Sequence, residues 1–224
     1  MSLQAIIFDM DGVIIDSEGF WQDAQIEMLA AQGVAITAAE CEELTKGKRI
    51  DEIARVWCEK HFLTVEPQWL EKQIIARVCN AIREKGMAMN GLYQALECFH
   101  HKGYRLALAT SSSPEVIEAV FDKLDLWQWF GVICSADEES FGKPHPDVYL
   151  TVMRKLGLQA AQCRVIEDSL NGFTAARRAE IKTFVVAPDC HEPKFASAAG
   201  HYSTLTELSH ALNLHSEPAL RASC

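Results

Sequence analysis

Short apolar runs alternate with segments of helical period along most of the chain. Leu3–Phe8, Tyr104–Ala109, Val132–Cys134 and Arg164–Ile166 are too short for helices and are followed by polar or glycine-containing turns, as buried strands are. Thr183–Val186, ending at Ala187-Pro188, is a fifth run of this kind. Between them lie Gly91–His101, Pro114–Leu124, Pro146–Leu156 and Ser169–Ala179, the first two stopping near Gly103 and Asp125. The alternation predicts an α/β, Rossmann-like core: a parallel sheet with helices on both faces and a ligand crevice outside the carboxyl ends of its strands.

Residues 16–87 break that rhythm. They contain no convincing strand and read as four helices, Glu18–Gln32, Ala38–Leu44, Ile50–His61 and Pro67–Glu84. Because they interrupt the fold after its first strand, they are expected to form an inserted all-helical cap over the crevice, with 1–15 and 88–224 as the core. The tail 215–224 is polar and contains proline, and is expected to be loosely ordered.

The formal net charge of -10 argues against nucleic acid or an anionic membrane face as partner, since either is repelled at long range. A phosphorylated ligand is repelled too, so local cations must overcome the global sign. The 8 cysteines are scattered without metal-type spacing and read as reduced thiols of a cytoplasmic protein. No export signal is evident, and no apolar run approaches the roughly 18 residues that span a bilayer. A small molecule is left as the expected partner, and the chain is expected to act as a monomer.

Asp9-Met10-Asp11-Gly12-Val13 follows the first strand directly, so two carboxylates project at the sheet's carboxyl edge. Alone, such a pair is as readily a solvated turn. Two neighbouring acids persist at neutral pH only if a cation neutralises them or one is protonated, and Mg²⁺ suits such a set. Glu167-Asp168, after another strand, brings two more acids to the same edge, although either could instead cap the following helix. Thr110-Ser111-Ser112-Ser113-Pro114 offers hydroxyls and free backbone N–H groups to an anion, or simply an N-cap. Lys143, in Gly142-Lys143-Pro144, is a point charge in a stiffened loop or an ordinary surface lysine.

Together, these four elements in order resemble the four motifs of the haloacid dehalogenase superfamily, in the subgroup with a helical cap after the first motif. The resemblance covers nearly the whole chain and implies a phosphatase. It makes Asp9 the nucleophile, which becomes an aspartyl-phosphate, and Asp11 the acid that protonates the leaving alcohol and then the base that activates water. Mg²⁺ would be held by the Asp9 carboxylate, the Asp11 carbonyl and Asp168, with Glu167 ligating directly or through water. Thr110, Ser111 and Lys143 would hold the transferring phosphoryl group.

The cap directs the choice of ester. Asp16-Ser17-Glu18 followed by Trp21, with Gly47-Lys48-Arg49-Ile50-Asp51 later, looks like the bacterial phosphatases of hexitol phosphates and 2-deoxyglucose 6-phosphate. The chain departs from them at Gly19, where proline is usual, and at Thr110, where they carry serine. Trp21 offers a platform for the carbon face of a sugar, or simple hinge packing; Glu18 could accept hydroxyl hydrogen bonds. Lys46–Arg49 is either a solvated basic loop or brings Lys48 or Arg49 to the substrate.

Three rivals use related chemistry. A phosphosugar mutase of the β-phosphoglucomutase type carries histidine where Trp21 stands. A phosphoaspartate signalling domain lacks both a cap and an acid at the position of Asp11. A dehalogenase normally lacks that second acid and needs no Mg²⁺.

Overall fold

The computed structural model describes residues 2–214, so the expected loose tail 215–224 lies outside the described residues. Six strands, β1 (Ala5–Phe8), β2 (Arg105–Thr110), β3 (Val132–Ser135), β4 (Cys163–Glu167), β5 (Lys182–Val186) and β6 (Gly200–Tyr202), form one sheet in the order β3-β2-β1-β4-β5-β6. Every pairing is parallel. β6 has no counterpart in the apolar pattern, because Gly200-His201-Tyr202 is short and half-buried. It exists by pairing with the edge of β5, where the Tyr202 ring meets Phe184 edge-on.

Alternation along the strands sends side chains to two faces. Ile6, Phe8, Leu106, Leu108 and Ile166 share one core with α5 (Leu92–His101), α6 (Pro114–Leu124) and α9 (Leu205–Leu214). Ala5, Ile7, Ala107, Ala109 and Val165 face α7 (Asp147–Leu156) and α8 (Leu170–Arg178). The small alanines on this second face let α7 approach closely, which brings Tyr149 near the strand ends.

Between β1 and β2 the chain forms α1 (Glu18–Ala30), α2 (Ala38–Thr45), α3 (Ile50–His61) and α4 (Pro67–Lys85). Their limits have local causes: a capping box of Thr37 with Glu40 opens α2, Pro67 opens α4, and Phe62 in the left-handed region ends α3. Fully buried Trp57 donates to Gln25 Oε1 at 2.7 Å and ties α3 to α1. The two chain crossings beneath these helices run side by side, with Met89 N–H on the Ile14 carbonyl at 2.9 Å and Asp16 N–H on that of Met87 at 3.2 Å. Among the described residues, no helix is long and apolar enough to cross a membrane.

The Phe8 ring meets Phe99 and Phe130 edge-on at 5.9 and 5.7 Å. Phe99→Ala should therefore cost about 3–5 kcal/mol of stability, by lost transfer energy plus a cavity. Urea unfolding measures this, and a negligible change in midpoint would show that α5 does not anchor the sheet.

Candidate active site

The parallel register decides what meets at the sheet's carboxyl edge. Phe8 pairs with Leu108 on one side and Ile166 on the other, so Asp9, one residue on, stands level with Ala109 and Glu167. Its own N–H still bonds the Ile166 carbonyl at 3.0 Å. Asp9 is buried, and Lys143 is only 3% exposed.

Lys143 Nζ donates to Asp9 Oδ1 and Glu167 Oε1, both at 2.7 Å, and to the Ala109 carbonyl at 2.9 Å. All three ammonium N–H bonds are thus committed. The ordinary surface lysine is not what the fold contains. Nor does the ammonium stand free for a phosphoryl group: to bind one it must exchange an acceptor it already holds.

Glu167 is fully buried and takes five donors. Oε1 accepts from Lys143 and from Tyr149 Oη at 2.8 Å; Oε2 accepts from Asp168 N–H, Ser169 N–H and Ser169 Oγ at 3.1, 3.2 and 3.0 Å. The carboxylate lies on the first turn of α8, where a Cβ added to Gly172 would stand 1.6 Å from Oε1. So occupied, it is better placed to hold Lys143 than to ligate an ion directly.

Asp168 packs across Gly12, whose φ of 76° suits glycine and whose added Cβ would lie 2.5 Å from Asp168 Oδ2. Asp9, Glu167 and Asp168 each offer an oxygen within 4.8 Å of the others. Burial first, then the charge of Glu167, raises the Asp9 pKa to about 7 against the pull of Lys143. Burial, then Glu167 and Asp9, likewise pushes Asp168 well above the usual carboxylate range, with Lys46 opposing at 4.0 Å. Buried acids short of positive charge fit a hard, oxygen-ligated cation such as Mg²⁺.

Asp11 sits beside this cluster with its carboxylate held by three donors: Ser17 Oγ at 2.5 Å and Trp21 Nε1 at 2.8 Å on Oδ1, and Ser112 Oγ at 2.6 Å on Oδ2. Trp21 lines the cleft as expected of a platform, but it also orients Asp11, a contact that no sequence spacing announces. Ser17 and Tyr149 were not expected at the site, and Ser112, expected only as part of the anion-binding run, was not expected to hold Asp11. Only their proximity to the Asp11 and Lys143 motifs could have flagged them.

The cleft is walled by Asp9, Asp11, Lys143 and Asp168 below and by Glu18, Trp21, Lys46 and Lys48 above. Glu18 pairs with Lys46 at 3.2 Å. Ser111 lines the cleft and donates to the Gly47 carbonyl at 3.2 Å. Thr110 is fully buried behind it, its Oγ1 accepting from Ser112 N–H at 3.1 Å, so its hydroxyl shapes the turn and does not face the cleft. Arg49 also departs from the expectation. It lies off the cleft wall, with its guanidinium held by Asp51 and by two carbonyls of the turn after β3.

The profile of the haloacid dehalogenase-like hydrolases matches residues 6–186. The chain is similar to hexitol phosphatase B of Escherichia coli (strain K12), 34% identical over 207 residues that cover 91% of this chain and 93% of that protein. It is 30% identical to a fructose-1-phosphate phosphatase of the same organism over 78% of this chain and 91% of that one. The crystal structure of CbbY from Rhodobacter sphaeroides in complex with phosphate superimposes with a TM-score of 0.83 at 27% identity, covering 92% of this chain and 96% of the other.

The folded protein holds the Asp9 proton more tightly than an exposed carboxylate does, so ionising Asp9 opposes folding. That penalty is absent below about pH 4, grows as pH rises and is complete above about pH 7. With EDTA present, the melting temperature of the wild type should fall toward neutral pH more steeply than that of Asp9→Asn, and Mg²⁺ should remove the difference. Parallel profiles would show that Asp9 titrates as an ordinary carboxylate.

Proposed function

The chain belongs to the haloacid dehalogenase-like hydrolases, and on that premise we propose that it hydrolyses a small phosphate ester, a sugar or hexitol phosphate, with Asp9 as the nucleophile. The observation that carries this reading is the convergence of Asp9, Asp11, Lys143 and Asp168 in one cleft roofed by residues of α1, α2 and α3 and the loop 46–48. We take 16–87 as the cap and 1–15 with 88–224 as the core, a division supported by the paired crossings at Ile14–Asp16 and Met87–Met89.

A carboxylate oxygen of Asp9 attacks phosphorus in line, and the bond from phosphorus to the ester oxygen breaks. Lys143 holds the Asp9 carboxylate in place throughout. Asp11 gives a proton to the departing alkoxide, which leaves as the alcohol. The same carboxylate then takes a proton from water as its oxygen attacks the aspartyl-phosphate, freeing Asp9 and inorganic phosphate. Ser17, Trp21 and Ser112 keep Asp11 aimed at the cleft in both half-reactions. Ser111, which lines the cleft, would receive an equatorial phosphoryl oxygen.

The residues suited to hold Mg²⁺ are Asp9 and Asp168, with the Asp11 carbonyl, and Glu167 acting through water. The ion would neutralise charge on the transferring group. Trp21 supplies an apolar face for the carbons of a sugar, and Glu18, Lys46 and Lys48 line the rim where hydroxyls are read. The same proposal includes a monomer working in the cytoplasm.

Phosphate release from a panel of sugar, hexitol and nucleotide monophosphates with Mg²⁺ tests the reading. Asp9→Asn should abolish release, Asp11→Asn should leave at most slow phosphorylation of the enzyme, and EDTA should stop turnover until Mg²⁺ returns. Full activity of Asp9→Asn would sink the mechanism. A rearranged sugar phosphate without net release would point to a mutase.

The contact of Trp21 with Asp11 separates two roles. Trp21→Phe keeps an aromatic face but removes the donor, and should lower kcat roughly 3- to 10-fold with little change in KM, the net worth of one typical hydrogen bond. Trp21→Ala should also raise KM for sugar phosphates more than for a compact aryl phosphate. Equal changes in KM for both substrates would remove Trp21 from recognition.

A further inference from the structure

Arg49 precedes α3 and is largely buried, its side chain only 12% exposed. Nε and Nη2 grip the Asp51 carboxylate at 3.0 and 2.9 Å, and Arg55 holds the same carboxylate from the next turn. This fixes the plane of the guanidinium. Nη1 is left pointing out of the cap, and it donates to the carbonyls of Ala136 at 3.1 Å and Glu139 at 2.8 Å.

Those carbonyls belong to the turn that leaves β3 and runs through Phe141 and Gly142 into Lys143. Among the described residues, the hydrogen bonds from the cap to 136–143 come from this guanidinium alone. Gly142 gives a second, independent sign of the contact. Its φ is not in the left-handed region, so its conformation does not demand glycine. A Cβ there would stand 2.7 Å from Arg49 Cγ, 2.9 Å from Arg49 Cδ and 2.9 Å from Glu52 Oε1. The missing side chain makes room for the cap.

The neighbouring cap residues are tied to the other strand ends. Gly47 accepts from Ser111 after β2, and the Lys46 carbonyl accepts from Asn171 Nδ2 on α8 at 3.1 Å. The loop 46–49 therefore touches the turns that carry Ser111, Lys143 and Asp168, the groups that line the cleft floor.

We infer that Arg49 is a positioning residue that latches the cap to the lysine-bearing turn, so that closure over the substrate and placement of Lys143 are one event. Arg49 touches no substrate. It acts through two backbone carbonyls, whose turn sets where the Lys143 ammonium meets Asp9 and Glu167. The kinetic consequences rest on the phosphatase reading; the structural coupling does not.

Hydrogen exchange followed by mass spectrometry tests the coupling without any substrate. In Arg49→Ala and in Gly142→Ala, amides of 46–49 and 136–143 should exchange faster together, whereas Lys60→Ala, on the exposed side of the same helix, should leave both unchanged. In turnover, Arg49→Ala should lower kcat/KM for a sugar phosphate by roughly 10- to 100-fold, the scale expected for losing two hydrogen bonds of typical net worth. Arg49→Lys, which can still reach a carbonyl, should recover part of that. Arg49→Ala/Gly142→Ala should be no worse than the poorer single variant, since both remove the same contact. Unchanged exchange alongside a lost kcat/KM would mean that Arg49 meets the substrate directly, and additive effects in the double variant would mean two separate roles; either overturns the latch. If the wild type releases phosphate from no ester tried, the phosphatase reading fails while the exchange data still decide the coupling.

Discussion

Lys143 carries its charge into a place nearly closed to water, and it is tolerable there because three acceptors meet its three N–H bonds: Asp9, Glu167 and the Ala109 carbonyl. An ammonium buried without such partners costs many kcal/mol and gives up its proton instead. Here the opposite holds, and the two carboxylates raise its pKa well above the usual value. The ammonium in turn fixes the Asp9 carboxylate on the cleft floor, as the proposed nucleophile requires. Glu167 is held by Tyr149, by Ser169 and by the N–H groups of Asp168 and Ser169, so the ion cluster is anchored to both α7 and α8.

That cluster can form only because β1 lies in the middle of the sheet. With β2 on one side and β4 on the other, residues distant in sequence end level with one another. The strands beneath are apolar on both faces and make no chemistry. Their register delivers Asp9, the Thr110–Ser113 turn and Glu167-Asp168 to one edge, while β3 sends its outgoing turn across that edge to bring in Lys143. One cation for three acids leaves the floor of the cleft short of positive charge, which suits it to a metal ion and a phosphoryl group together.

Asp11 stands where core and cap meet, and its partners come from both sides: Ser112 from the core, Ser17 and Trp21 from the start of the cap. Donors from both sides fix the orientation of this carboxylate, which the proposed acid and base steps require. The same economy governs Arg49, whose fork reads the cap's own Asp51 with one edge and the core's backbone with another atom. A lysine has no such planar arrangement of donors.

The sequence by itself determined the parallel α/β sheet, the helical insertion and the identity of the acids after β1 and β4. These are written in local hydrophobic period and in residues adjacent to strand ends, and both survive being read one segment at a time. Helix limits at Pro114, Leu124, Ile50 and His61 were legible for the same reason. The edge strand β6 was not, because Gly200–Tyr202 has no apolar pattern and exists only by pairing with β5. Tertiary structure alone decided that Lys143 is buried, that the Thr110 hydroxyl bonds its own turn, that Trp21 and Ser112 bond Asp11, and that Arg49 bonds the carbonyls of Ala136 and Glu139. The contacts of Lys143 with Asp9, Ser112 with Asp11 and Arg49 with Ala136 join residues 87 to 134 positions apart, and even the local bonds of Trp21 and Thr110 are chosen by packing, to which spacing is blind.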